Sequence, residues 1–252
     1  MKVKKLVLTA VMTALSVVLN ELLVISIPPT ASPLMRLSLG VIPIFVIAYY
    51  CGIFYAIVAG TLTDILGFFI FGMAKGYAFN LGYTLSAFLS GAIIGFFILI
   101  RKFMSTRKGL FTLIITDIAL TVISSGLYFY MAMTQDIIKN TDSKLAIAIT
   151  VTSISLIVNI IVIVYAIVAR ENKDSNAIIM AFIVYQYVVS LCLTPLWLTI
   201  MYHTNYFVYW TVRMVTVPLQ IMIYALISKV VVYATDKFTL LKKKEEVETK
   251  NN

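Results

Sequence analysis

Apolar runs follow one another along the chain with almost no charge inside them, near residues 6–26, 41–58, 60–73, 82–100, 110–133, 145–169, 177–201 and 207–234. A bilayer core about 30 Å thick takes about 20 helical residues to cross. In lipid every backbone N–H and C=O must also find a partner within the chain, which an α-helix provides by itself. The expected fold class is therefore all-α, a polytopic membrane helix bundle. The inventory of residues agrees: 61% are apolar and 12% charged, against about 25% charged in soluble domains. A soluble core in a chain of 252 residues could not hide that much apolar surface. The first run follows Met1-Lys-Val-Lys-Lys, which imitates a signal peptide. It is too long for one, holds Glu21 and precedes many further spans, so a retained helix is expected.

The stretch 41–73 admits two readings: one long, steeply tilted helix, or two shorter ones bent back at Tyr49–Gly52. Charge parity decides between them, because Lys and Arg favour the cytoplasmic side. With two spans there, 15 of the 20 basic residues fall on one side. They are Lys2, Lys4 and Lys5; Arg101, Lys102, Arg107 and Lys108; Arg170 and Lys173; and the Lys229–Lys250 group. Arg36, Lys75, Lys139, Lys144 and Arg213 remain on or near the other side. A single helix would send the 101–108 cluster outward and weaken the bias. Eight spans in the cell membrane with both termini cytoplasmic are expected, ending in a charged tail from about 237, disordered from Leu241. The net charge of +9 is then topology, with Leu240–Lys244 also touching anionic lipid, and nucleic-acid binding is not needed to explain it.

Several chemistries lack their residues. Cys51 and Cys192 sit far apart in apolar runs, without disulfide or metal spacing. His203 has no second histidine. Gly72-Met-Ala-Lys75-Gly76 is too short for a phosphate-cradling loop. No cofactor, no metal site and no enzyme activity are expected, and no segment shows strand alternation.

Ionisable groups inside spans are costly and default to function. Glu21 lies in the outer half of the first span, Asp64 in the inner half of the third, Asp117 in the inner half of the fifth and Arg213 in the outer half of the last, with Arg36 at the outer mouth of the second. Acid and arginine at one depth suit an anionic, hydrogen-bonding solute, since guanidinium grips a carboxylate in two places. Blander roles compete: Arg213 snorkelling to the interface, Arg36 as a helix-start charge, Asp64 paired with a basic neighbour or a backbone group, Asp117 in helix packing. Aromatics crowd the outer side at Tyr77, Tyr83, Trp197, Tyr202, Tyr206, Tyr209 and Trp210. Tyr202, Tyr206 and Trp210 fit an interfacial belt. Trp197 lies deeper, and with Pro195 loosening the helix before it it is the candidate platform for a flat heterocycle. Ala10/Ala14 and Gly91/Gly95 repeat at four residues, as close helix contacts do.

Four stretches carry a family resemblance: Arg36-Leu-Ser-Leu-Gly-Val-Ile-Pro43-Ile, Gly60-Thr-Leu-Thr-Asp64-Ile-Leu-Gly67-Phe, Thr84-Leu-Ser-Ala-Phe-Leu-Ser-Gly91-Ala-Ile-Ile-Gly95, and Pro195-Leu-Trp197-Leu-Thr-Ile-Met-Tyr202 followed by Arg213. Together they resemble the folate-type substrate-binding (S) component of energy-coupling-factor (ECF) vitamin transporters, over about 6–101 and 186–228. The resemblance implies a helical membrane protein that binds a vitamin near its outer face. It also implies partnership with a transmembrane coupling subunit and two cytoplasmic ATPases. In that family an A-x-x-x-A on the first span faces the coupling subunit, and Ala10-Val-Met-Thr-Ala14 fits it. Arg36, Trp197 and Arg213 occupy motif positions for vitamin binding, and Glu21 joins them by depth and charge. Such subunits usually have six helices. The excess here is 110–173, so 1–109 and 174–236 are expected to form the core and 110–173 an inserted hairpin with an outer turn at Thr134–Lys144. A stand-alone secondary carrier for a small organic anion, coupled to ions through Asp64 or Asp117, and an S component for a different vitamin remain as alternatives.

Overall fold

The computed structural model describes residues 2–27, 34–75, 78–134, 141–168 and 174–251, with side chains beyond 237 not described. Helices dominate: α1 (Lys2–Glu21), α2 (Val41–Tyr50), α3 (Ile53–Gly67), α4 (Leu81–Leu99), α5 (Arg101–Met104), α6 (Arg107–Thr134), α7 (Thr141–Val168), α8 (Ser175–Tyr185), α9 (Thr194–Tyr202) and α10 (Tyr206–Asn251). Helix α3 continues as a π-helical turn, Phe68–Gly72, and α8 and α9 are joined by a longer π-helical segment, Gln186–Leu193.

Seven helical stretches are long and apolar enough to cross a membrane, the second of them running Ile53–Gly72. This corrects the expected eight full spans. The apolar text at 41–73 is divided at Gly52, whose φ of 108° lies where residues with a Cβ rarely go, within the expected bend at Tyr49–Gly52; the following helix starts at Ile53 rather than near 60. Helix α2 has only 10 residues, roughly 15 Å of rise and about half a bilayer. Strands β1 (Val24–Ile27) and β2 (Met35–Ser38) pair antiparallel, with Val24 opposite Ser38 and Ile27 opposite Met35. This short sheet was not foreseen, because the alternation at 24–27 and 35–38 spans only four residues on each strand.

Contacts along α1 fix the two ends of the bundle. Lys5 Nζ donates to the Cys51 carbonyl at 3.3 Å and Ser16 Oγ to the Gly40 carbonyl at 2.6 Å, so α2 descends alongside α1. At the Lys5 end, Arg101 lies 3.8 Å from the Asp174 carboxylate and stacks over Tyr49, whose hydroxyl donates to Asp174 at 2.6 Å. At the other end Arg36 and Lys75 meet Glu21. Lys139, Arg170 and Lys173 of the charge reading lie outside the described residues.

Helices α3 and α4 are welded by small residues. A Cβ on Gly60 would lie 2.5 Å from the Ala87 carbonyl oxygen, and one on Gly91 would collide with the Ala56 carbonyl. Gly95 meets Ile53 in the same way, so the Gly91/Gly95 spacing marks a backbone-to-backbone contact. Gly91→Val should push the two helices apart and cost about 1–3 kcal/mol, read as a lower thermal midpoint in detergent; an unchanged midpoint would contradict this packing.

Helices α6 and α7 pack on each other and make their main contacts with α8 and α10, away from α1–α3. Helix α10 runs unbroken to Asn251, where a disordered tail is expected. The stretch Leu240–Lys250 holds strong helix formers and neither Gly nor Pro, so nothing in it stops the helix.

Candidate functional site

A cavity of about 310 Å³ opens at the Glu21 end, walled by α1, β1, β2, α3, α4, the Gln186–Leu193 segment, α9 and α10. The sheet covers it with one face. Val24, Ser26, Arg36 and Ser38 line the cavity, while Ile25 and Ile27 on the alternate positions are exposed, as the period of two requires. Tyr224 Oη donates to the Ser38 carbonyl at 2.8 Å and Gln220 Nε2 to the Arg36 carbonyl at 3.5 Å, which ties β2 to α10.

Three cationic side chains, Arg36, Lys75 and Arg213, and two carboxyl groups, Glu21 and Asp64, share this wall. Glu21, with its side chain 11% exposed, accepts from Arg36 at 3.1 Å through one oxygen and from Lys75 at 2.9 Å through the other. Arg36 also donates to the Asn20 carbonyl at 3.0 Å. Glu21 is thus the anchor of two cations, both of them more than a third exposed at the mouth.

Asp64 accepts from Thr84 Oγ1 at 2.7 Å. The expected position in the inner half of its span is corrected, because α3 begins at Ile53. Asp64 therefore stands roughly 16 Å along a helix of about 30 Å, on the cavity wall.

Arg213 is 6% exposed. Its Nη1 donates to the Ser190 carbonyl at 2.6 Å and to Ser190 Oγ at 3.1 Å, and its Nε has no partner. Among the described residues no acid pairs with it; its electrostatic neighbours are the phenols of Tyr83, Tyr185, Tyr206 and Tyr209. This corrects the snorkelling alternative. The carbonyl that holds it is free for a sequence reason. In the π register the residue five places on would donate to Ser190, and that residue is Pro195, which has no N–H. The Thr194 N–H already bonds Val189, so the Ser190 oxygen is left to Arg213.

Trp197 is not on the cavity wall. Its ring lies flat against Gly82, where any Cβ would collide with it, and its Nε1 donates to Ser86 Oγ at 3.0 Å. Ser86 and Tyr83 then line the cavity in front of it. Trp197→Phe should therefore leave ligand affinity within about threefold and cost about 1 kcal/mol of stability for the lost hydrogen bond; an affinity loss above tenfold in equilibrium binding would return Trp197 to the binding surface. Trp210 is also corrected: at 5% exposed it is core, not belt. Tyr202 lines the cavity, Tyr206 donates to the Cys192 carbonyl at 3.1 Å, and Tyr77 lies outside the described residues.

Asn20, Gln186, Gln220 and Tyr224 complete the polar wall, and sequence reasoning did not single them out. Gln186 is buried with its Oε1 unpartnered. Its position four residues before Ser190 was the available signal, but amides in spans carry no charge to draw attention. Asp117 lies in α6, away from this cavity. Ala10 and Ala14 are exposed on α1, about a quarter turn round the helix from the buried Thr9, Thr13 and Ser16.

Comparison with known proteins agrees with this architecture. The model of the family described as ECF transporter, substrate-specific component, matches residues 4–158, which extends through α6 into α7. No curated protein sequence matches. A crystal structure of FolT bound with folic acid superposes with a TM-score of 0.52 over 90% of this chain and 90% of that one, at 19% identity, a likeness of fold. This multi-pass helical membrane protein belongs to the family of substrate-specific components of ECF transporters.

Proposed function

We propose that the chain captures a folate-like vitamin in the Arg213 cavity and hands it to an ECF energising module. One observation carries this reading: a guanidinium almost out of contact with solvent, facing a cavity, with no acid of its own among the described residues. A bare buried charge is costly, and a substrate carboxylate supplies the missing partner with charge-assisted hydrogen bonds. The other half of a pterin conjugate suits the rest of the wall. A flat heterocycle rich in N–H donors fits between Phe68, Phe79, Tyr83 and Tyr202, with Asp64 and the unpartnered Gln186 oxygen as acceptors. Arg36 and Lys75, already satisfied by Glu21, bias the mouth towards anions. The fold shared with folic-acid-bound FolT supports the choice of folate among vitamins.

The chain has no nucleotide-binding loop, so reorientation would be driven by a transmembrane coupling subunit and two cytoplasmic ATPases. Both termini lie in the cytoplasm of a cell-membrane protein on this reading, with the Lys5 end inward. The exposed face of α1 carrying Ala10 and Ala14 would meet the coupling subunit. Helices α6 and α7 pack along α8 and α10 and leave that face open; on this reading they are a hairpin added to the core.

Equilibrium binding to the purified chain tests the substrate, with folate against thiamine, riboflavin and biotin and heat release as readout. Tight, selective folate binding without ATP is expected. A folded chain that ignores folate and binds another of the three would remove folate and keep the scaffold.

A further inference from the structure

The α6–α7 hairpin holds a polar seam with a defect in its hydrogen-bond inventory. Asp117, Thr121 and Ser124 recur at helical spacing on α6 and face Ser155 and Asn159 on α7 and Tyr187 on the Gln186–Leu193 segment; all six are buried, Asp117 at 0%. The donors of Thr121, Ser124, Asn159 and Tyr187 are directed at one another and at the backbone. Thr121 Oγ1 donates to the Asp117 backbone carbonyl at 2.8 Å and lies 2.9 Å from Tyr187 Oη. Tyr187 donates to Asn159 Oδ1 at 3.0 Å, Ser124 to the Thr121 carbonyl at 3.0 Å, and Asn159 Nδ2 to the Ser155 carbonyl at 2.8 Å and its hydroxyl at 3.5 Å. Both carboxylate oxygens of Asp117 are left with no donor. Among the described residues no Lys, Arg or His pairs with this acid and no second carboxyl faces it; Tyr187 is its titratable neighbour.

A seam in which both oxygens of one acid, buried at membrane depth, lack a donor is chemically short of a small cation. Hydroxyl, amide and carboxylate oxygens are the ligands that hard monovalent cations accept. We propose that Asp117 is a monovalent-cation site, neutralised by Na⁺ held with the oxygens of its neighbours or by a proton on its carboxyl. The site is separate from the Arg213 cavity and does not depend on the identity of the substrate. It does share an element with that cavity: Tyr187 and Ser190 lie on the same π-helical segment, one beside Asp117 and the other holding Arg213.

The full chain in nanodiscs is titrated with NaCl against choline chloride at constant ionic strength while the thermal midpoint is followed. Infrared spectra at neutral pH are recorded in parallel. A saturable rise of several degrees with Na⁺, lost in Asp117→Asn, identifies sodium. No Na⁺ response, but a protonated-carboxyl band that disappears in Asp117→Asn, identifies the proton. An ionised wild-type carboxylate with no Na⁺ response overturns the proposal, as does a Na⁺ response that Asp117→Asn retains. Tyr187→Phe keeps the acid while removing one oxygen. It should shift the Na⁺ midpoint, or the proton concentration at which the acid band fades, by more than threefold, and no shift counts against the site.

Discussion

Arg213→Gln is expected to weaken folate binding by roughly 100-fold, the equivalent of about 3 kcal/mol, without lowering the thermal midpoint of the empty protein. The two halves have one cause. Arg213 is desolvated and makes no ion pair among the described residues, so the empty state bears the cost of a charge that only an anionic ligand compensates. Removing it strands no buried acid among the described residues; what is left unpaired is the Ser190 carbonyl. Binding sites commonly carry such strain at the expense of stability. Arg213→Lys should recover part of the affinity, since the charge returns but the two-pronged grip does not. Calorimetric binding beside a thermal melt decides the matter. A large drop in stability together with lost binding would make Arg213 a structural residue instead.

Ala10→Trp and Ala14→Trp are expected to abolish vitamin uptake in reconstituted complexes while leaving folate affinity of the isolated chain within about threefold. Both alanines lie on the exposed side of α1, beside Val7, Val11 and Leu15, and neither lines the cavity. Small residues let a partner helix approach its backbone closely, and an indole at either place would hold that helix away. The comparison of uptake with binding is the measurement. Equal loss of both would locate the damage inside the chain, and unimpaired uptake would move the coupling surface off this face.

How much was legible follows from the kind of signal each feature leaves. Long apolar runs announce themselves, and those that became α4, α6 and α7 fell within a few residues of their expected bounds. The Gly91/Gly95 spacing pointed to a close helix contact, now seen against Ala56 and Ile53. What escaped was structure that needs a partner to exist. Strands β1 and β2 are four residues each and pair only with each other, so local pattern barely registers them. Asp64 was placed too low because Gly60 looked like a boundary between spans, when it is a packing residue inside α3. Trp197 was given the cavity and instead covers Gly82, since depth along a helix does not say which way a side chain points. Glu21 was read as a ligand contact; it lines the cavity and also holds Arg36 and Lys75, residues 15 and 54 positions away in sequence. At Pro195 the sequence pointed to a loosened helix, and its missing N–H leaves the Ser190 carbonyl to Arg213.

The small sheet also acts as a waterline. Side chains of α10 take two carbonyls of β2, but β1 pairs with no strand except β2 and keeps an outer edge, and bare sheet edges do not persist in hydrocarbon. The Val24–Ser38 hairpin must therefore ride at headgroup level, which sets how deep the whole protein sits. A bilayer thicker on that side would draw that edge into oil and force the bundle to tilt. Lipid thickness should thus alter how readily the mouth of the cavity meets water, with no change to any residue inside it.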